Sequence, residues 1–143
     1  MSKDFDIRLI TIEDYDAIYD LWNATEQSRR ALNPVDDSYD GIERYLKRNP
    51  NTCFAAVSDE KIIGVILTGH DGRRAIVHHL CVHPDFRRMG IAESLVSTAE
   101  EALKKEGIQK SSDWYLRITI RQIHFGKVRD IHLGLISITE TKV

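Results

Sequence analysis

A chain of 143 residues has the length of one domain, enough to bury a sizeable core. Its composition, 42% hydrophobic and 29% charged with 8 Gly and 3 Pro, is that of an ordinary globular protein and excludes a low-complexity or disordered chain. A net charge of −2 excludes a general attraction to nucleic acid or to an anionic membrane, so any anion site has to be a local motif.

Met1 to Ile10 alternates polar and apolar residues without a leader-like apolar stretch, and Phe5, Ile7 and Leu9 predict a half-buried strand. No apolar run approaches the ~20 residues that span a bilayer. Thr11 followed by Asp14 has the form of a helix N-cap, and Tyr15, Ile18, Leu21 and Trp22 then recur at helical spacing as far as Asn23. From Thr25 to Asp37 the periodicity is lost among Asn33, Pro34 and several charges. Ser38 offers a second cap and Ile42, Tyr45 and Leu46 a second apolar stripe. Pro50 ends that helix by disfavouring helical geometry at Asn49.

Cys53 to Val57 and Ile62 to Thr68 are β-rich runs joined by a polar turn, and His70-Asp71-Gly72-Arg73 leads into a third run, Ala75 to Val82. Three consecutive antiparallel strands are predicted. Cys53 and Cys81, the only cysteines, both fall in these runs, which predicts buried free thiols and a reducing, cytoplasmic setting. Beyond Gly90, Ile91, Leu95, Ala99, Ala102 and Leu103 form one stripe, with Glu93, Glu100, Glu101, Lys104 and Lys105 mostly on the other face. Gly107 stands at the C-cap place. No repeat or linker divides residues 1–143, so one domain is expected.

The segment from Leu80 to Ala92 runs from a strand through a short basic turn into that helix, which is the physical form of an anion site. The first turn of a helix leaves amide N–H groups unpaired at the positive end of its dipole. Gly90 lets a phosphate approach the backbone, Ala92 keeps the next contact small, and Arg87 and Arg88 add charge. A P-loop is excluded because no Gly-Lys-Ser/Thr follows.

Arg87-Arg88-Met89-Gly90-Ile91-Ala92 fits the R/Q-x-x-G-x-G/A signature of the GNAT N-acetyltransferases, and the preceding Leu80-Cys81-Val82-His83-Pro84-Asp85-Phe86 resembles that family's fourth strand and its exit. The order of elements from about Phe5 to Lys110 is also similar to a GNAT domain. The resemblance implies an α/β fold, a mixed and mostly antiparallel sheet flanked by helices, and acetyl-CoA as co-substrate. It further implies a diphosphate held by backbone amides of Arg88, Met89, Gly90, Ile91 and Ala92 beside Arg87, with a pantetheine arm along Leu80, Cys81 and Val82.

Acetyl transfer to an amine requires a deprotonated amine and a polarised thioester carbonyl, the latter served by a backbone N–H near Leu80. Strand alternation places Ile76, His78 and Leu80 on one face and Val77, His79 and Cys81 on the other. By resemblance to the arylalkylamine branch, His78 is the candidate general base; a half-buried, locally bonded histidine is the alternative. His70, His79 and His83 are expected at the surface or in turns. No histidine pair has zinc-like spacing with the cysteines, so no metal is expected. Glu26, Arg29, Arg30, Asp36 and Asp37 fall between the first two helices, where acidic groups would receive a cationic amine or be solvated.

After Lys110 the chain departs from the family. Trp114 to Ile120 and Ile131 to Thr139 suggest an atypical strand pair where the family has a strand, a helix and further strands, and the family's usual tyrosine acid has no counterpart. Joining each codon's third base to the next two lets the degenerate code spell a family-like strand and helix across Asp113 to Ile131. A frameshift near Lys110 to Asp113 is therefore expected, and codons incompatible with that string would end the idea. Exposed strand edges make a homodimer or strand exchange a further expectation.

These readings converge on a cytoplasmic N-acetyltransferase acting on the primary amine of a small molecule, without nucleic-acid or membrane partners. A catalytically impaired acyl-CoA-binding module and a protein or peptide N-acetyltransferase stand as alternatives.

Overall fold

In the computed structural model, residues 4–108 and 131–132 are described. Strand β1 spans Asp6–Leu9. Thr11 then opens a short 3₁₀ turn, Ile12–Asp14, through a reciprocal cap in which the Asp14 carboxylate accepts from the Thr11 amide at 2.9 Å. Helix α1, Tyr15–Trp22, follows directly and buries Ile18, Leu21 and Trp22.

The stretch in which periodicity disappears holds a further short helix, α2, Glu26–Arg30, with the Thr25 hydroxyl accepting from the Ser28 amide. It is too short to carry an apolar stripe and is recognisable in the sequence only by its cap. Helix α3, Tyr39–Arg48, begins at Ser38 as expected, the serine hydroxyl accepting from the Gly41 amide at 3.1 Å, and ends at Asn49 before Pro50.

Strands β2 (Cys53–Ser58), β3 (Lys61–His70) and β4 (Ala75–Val82) form the expected antiparallel meander. With β1 on the outside of β2 and a two-residue strand β5, Ile131–His132, against β4, the sheet order is β1-β2-β3-β4-β5, and every described pairing is antiparallel. Apart from Ile131 and His132, the expected C-terminal strand pair and the frameshift lie outside the described residues.

Helix α4, Ile91–Lys105, crosses one face of the sheet. Its buried Ile91, Leu95, Val96, Ala99 and Leu103 meet Phe54, Ile66, Leu80 and Val82. Helices α1 and α3 cover the other face, where Ile18, Trp22, Ile42 and Leu46 pack on Val65, Leu67 and Cys81. Cys53 and Cys81 are both buried and neither forms a disulfide among the described residues, and burial pushes the Cys53 thiol up to about 12, which leaves it inert. Gly107, with φ of +85°, stops α4 as its amide donates to Lys104 and the Ile108 amide to Leu103.

Candidate active site

One strand, β4, carries both parts of the site. Its C-terminal end passes through a second 3₁₀ turn, Pro84–Phe86, into the basic turn that precedes α4. Gly90 is the N-cap residue of α4, with φ of +77°, and it supplies no side chain to cap the helix. The first intrahelical bond runs from the Ser94 amide to the Gly90 carbonyl, so the amides of the first turn point outward at the positive end of the helix. A left-handed residue followed by a helical one also turns successive N–H groups to the same side, forming an anion-binding concavity. A Cβ built on Gly90 meets nothing within 4 Å, so the space in front of this backbone is open.

Arg88 is also left-handed, with φ of +65°, a conformation that costs a non-glycine residue roughly 1–2 kcal/mol. Its side chain is exposed beside the turn, whereas Arg87 is half-buried and its Nε donates to the Val82 carbonyl at 3.4 Å. Met89 packs against the α4 core, and Leu80, Cys81, Val82, Ile91 and Ala92 are buried. Any contact those five make with a bound molecule is therefore through backbone. On the outer side of β4, Leu80 lies opposite Ile131 and His79 opposite His132.

The middle of β4 departs from simple alternation. Leu67 pairs with His79 while the adjacent Thr68 pairs with Val77, so His78 is an extra residue, a bulge with no partner in that register. The expected division of side chains is corrected by this irregularity. Val77 lies with Leu80 and Val82 against the α4 core, while both histidines turn to the α1 and α3 side, where Cys81 packs. The His78 ring stands edge-on to Tyr45 of α3, with centroids 5.1 Å apart at 80°.

His79 is not the surface histidine expected from the sequence. It is 1% exposed, its ring lies 4.4 Å from that of Trp22, and its Nε2 is 2.8 Å from Asp37 Oδ1. Asp37 is likewise buried. Its other carboxylate oxygen accepts from the Asn33 amide at 2.8 Å, and its carbonyl accepts from the Tyr15 hydroxyl at 2.7 Å. Asp37 is thus a structural clamp between the α2–α3 connection, α1 and β4. Its carboxylate is committed to these partners and unavailable as the receptor for a cationic amine. Nothing in the sequence announces a partnership spanning 42 positions.

A cavity of about 280 Å³ opens between α3 and β4, lined by Asp36, Asp37, Gly41, Ile42, Arg44, Tyr45, Arg48, Leu67 and both histidines. Burial, and then the neighbouring His79, hold His78 below the ordinary histidine value of 6.5, partly opposed by Asp37 and Asp36. His78 is therefore a neutral imidazole at neutral pH, able to take a proton. Burial drives the Tyr45 hydroxyl far above the ordinary tyrosine value, so Tyr45 forms a wall of the cavity and stays protonated. Among the described residues no group of three or more His, Cys, Asp and Glu could hold a metal ion, and no helix is long and apolar enough to cross a membrane.

The sequence profile of the acetyltransferase (GNAT) family matches residues 15–119. The chain belongs to the GNAT family. An acetyltransferase of Pectobacterium atrosepticum is 35% identical over 105 residues, 73% of this chain and 72% of the relative. One from Sodalis glossinidius is 33% identical over the same length, 73% of this chain and 71% of that one. The GNAT fold is equally evident in three dimensions. The PaiA N-acetyltransferase from Thermoplasma acidophilum, solved in complex with coenzyme A, superposes with a TM-score of 0.64 at 18% identity, over 82% of this chain and 88% of that one. A ribosomal-protein-alanine N-acetyltransferase from Brucella melitensis gives 0.58 at 22% identity, over 74% and 76%. As a GNAT acetyltransferase, the protein has acetyl-CoA as its co-substrate.

Proposed function

We propose that this enzyme transfers an acetyl group from acetyl-CoA to the primary amine of a small molecule, with His78 as general base. The observation that carries the reading is the sharing of β4 by an uncapped anion turn at one end and a histidine-lined cavity at its middle. Val82 lies four residues beyond His78 on the same strand, so one element joins the cavity to the turn before α4. The outward amides and open space at Gly90 fit a diphosphate, and Arg87 and Arg88 supply charge beside it.

On this reading the backbone from Arg88 to Ala92 holds the diphosphate, and the backbone of Leu80, Cys81 and Val82 receives the pantetheine. Acetyl-CoA supplies the activated acetyl group when bound. His78, neutral at the cavity wall, accepts the proton that an ammonium group must lose before its nitrogen can attack, directly or through one water. Tyr45 holds the imidazole edge-on, so its orientation is set by packing before substrate arrives. A cytoplasmic setting, reducing enough to keep Cys53 and Cys81 as thiols, belongs to the same proposal.

The cavity, near the lower end of the roughly 300–1,000 Å³ typical of ligand pockets, has room for a small acceptor. A peptide acceptor is a second reading, supported by the fold shared with a ribosomal-protein-alanine acetyltransferase. Calorimetry with acetyl-CoA, followed by thiol release over polyamines, aminoglycosides, arylalkylamines, amino acids and short peptides, tests both. At least one small amine should exceed every peptide in kcat/KM. A peptide at the head of that ranking would reject the small-molecule acceptor, and acetyl-CoA binding without thiol release on any amine would reject turnover.

A further inference from the structure

General-base chemistry at His78 leaves one feature of the cavity unused. Helix α3 presents Arg44 and Arg48 to it, four residues apart and so on the same face of the helix. Both side chains are exposed, and neither has an ion-pair partner among the described residues, whereas Lys47 of the same helix pairs with Glu43 at 3.8 Å. Between them in the chain stands Tyr45, the residue whose ring abuts His78. A single turn of α3 therefore ties two guanidinium groups to the position of the base.

The acidic groups of the cavity do not cancel this charge. Asp37 is engaged with His79 and the Asn33 amide, which leaves Asp36 as the remaining carboxylate facing two arginines. Guanidinium forks match the planar, two-oxygen edge of a carboxylate or phosphate. His78 is uncharged at neutral pH, so it adds no competing attraction for the anion.

We propose that the acceptor amine carries an anionic group, a carboxylate or a phosphate, which Arg44 and Arg48 bind while the amine is directed to His78. This inference rests on the small-amine reading above and narrows it to aminocarboxylates or aminophosphates. Asp37, one of the acidic residues that the sequence offers either as a receptor for a cationic amine or as a solvated group, then serves to clamp the loop.

The test uses matched acceptors: ω-amino carboxylates, ω-amino phosphates and the same alkylamines lacking either group, assayed by CoA thiol release at low salt. Loss of a charge-assisted contact of this kind corresponds to at least about tenfold in binding, so one anionic series should exceed its uncharged match by roughly that factor in kcat/KM, chiefly through KM. In the R44Q/R48Q variant, which alters two exposed side chains, the ratio of anionic to uncharged acceptor should collapse towards unity. Added salt should narrow the ratio in the wild type. The winning series identifies carboxylate or phosphate. Equal kcat/KM for all members in the wild type, or a preference that survives R44Q/R48Q, overturns the inference while leaving the small-amine reading intact. Thiol release from none of these amines, with peptides turned over instead, overturns both.

Discussion

His78 sits where the β3–β4 ladder slips by one position, and its placement determines its acidity. The slip turns the ring into the α1 and α3 side, and burial there lowers its affinity for a proton. If His78 is the base, the acid limb of kcat/KM should fall below pH 6.5, and His78→Gln should remove that limb while lowering the rate roughly 10²- to 10⁴-fold. A pH–rate profile of the variant that keeps the wild-type limb would take His78 out of the mechanism. Asp37 acts differently, as a clamp. Asp37→Ala leaves His79 buried without its hydrogen-bond partner and should cost about 1–3 kcal/mol, seen as a lower denaturant midpoint with an unchanged slope. Activity should fall with it even at temperatures where the variant is folded, because the α2–α3 connection is then released from β4.

Among the elements, the entrance to α4 makes a prediction that separates folding from binding. Gly90→Ala introduces a Cβ into empty space, so the free protein should lose only about 1 kcal/mol from the positive φ. Acetyl-CoA affinity, measured by calorimetry, should fall at least tenfold more than that loss implies, because the new methyl occupies the approach to the amides; an equal loss in both would make Gly90 a simple turn residue. Strand β3 offers a second case, since a Cβ on Gly69 would lie 2.5 Å from the Tyr45 hydroxyl. Gly69→Ala should displace Tyr45, destabilise the fold by about 1–3 kcal/mol and disturb His78 across the ring contact. These elements were legible in the sequence to different depths. The capped starts at Thr11 and Ser38, the meander and the glycine before α4 each depend on neighbours within a few residues, so local pattern reveals them. The bulge at His78, the Asp37–His79 pair and the arginine wall of the cavity depend on packing between distant segments, and alternation alone assigned His78 and Val77 to the wrong faces. Tyr45 was visible only as one more apolar position in a stripe.

At the scale of the molecule, one sheet separates two cores with different duties. The α4 face is dense and apolar, and Leu95→Ala there should cost about 2–5 kcal/mol by cavity formation. The α1 and α3 face carries the buried polar groups and therefore the pH dependence. Because folding lowers the His78 pKa, the unfolded chain binds its proton more readily, and the stabilising contribution is present above pH 6.5 and lost as pH falls through the folded value. Asp14, lowered chiefly by its hydrogen bond to Arg8, adds a second loss below its ordinary 3.8. Denaturant midpoints followed from pH 8 to pH 3 should show both steps in the wild type and only the lower one in His78→Gln.

The extra residue in β4 also bears on how such a protein could be simplified. A chain one residue shorter at that point would let Thr68 and its neighbours pair without interruption, and the straightened ribbon would be the more regular scaffold. It would also swing the remaining imidazole relative to the helix opposite and break up the cavity between α3 and β4. Selection for sturdiness alone would therefore erase the very irregularity that turns His78 towards the cavity.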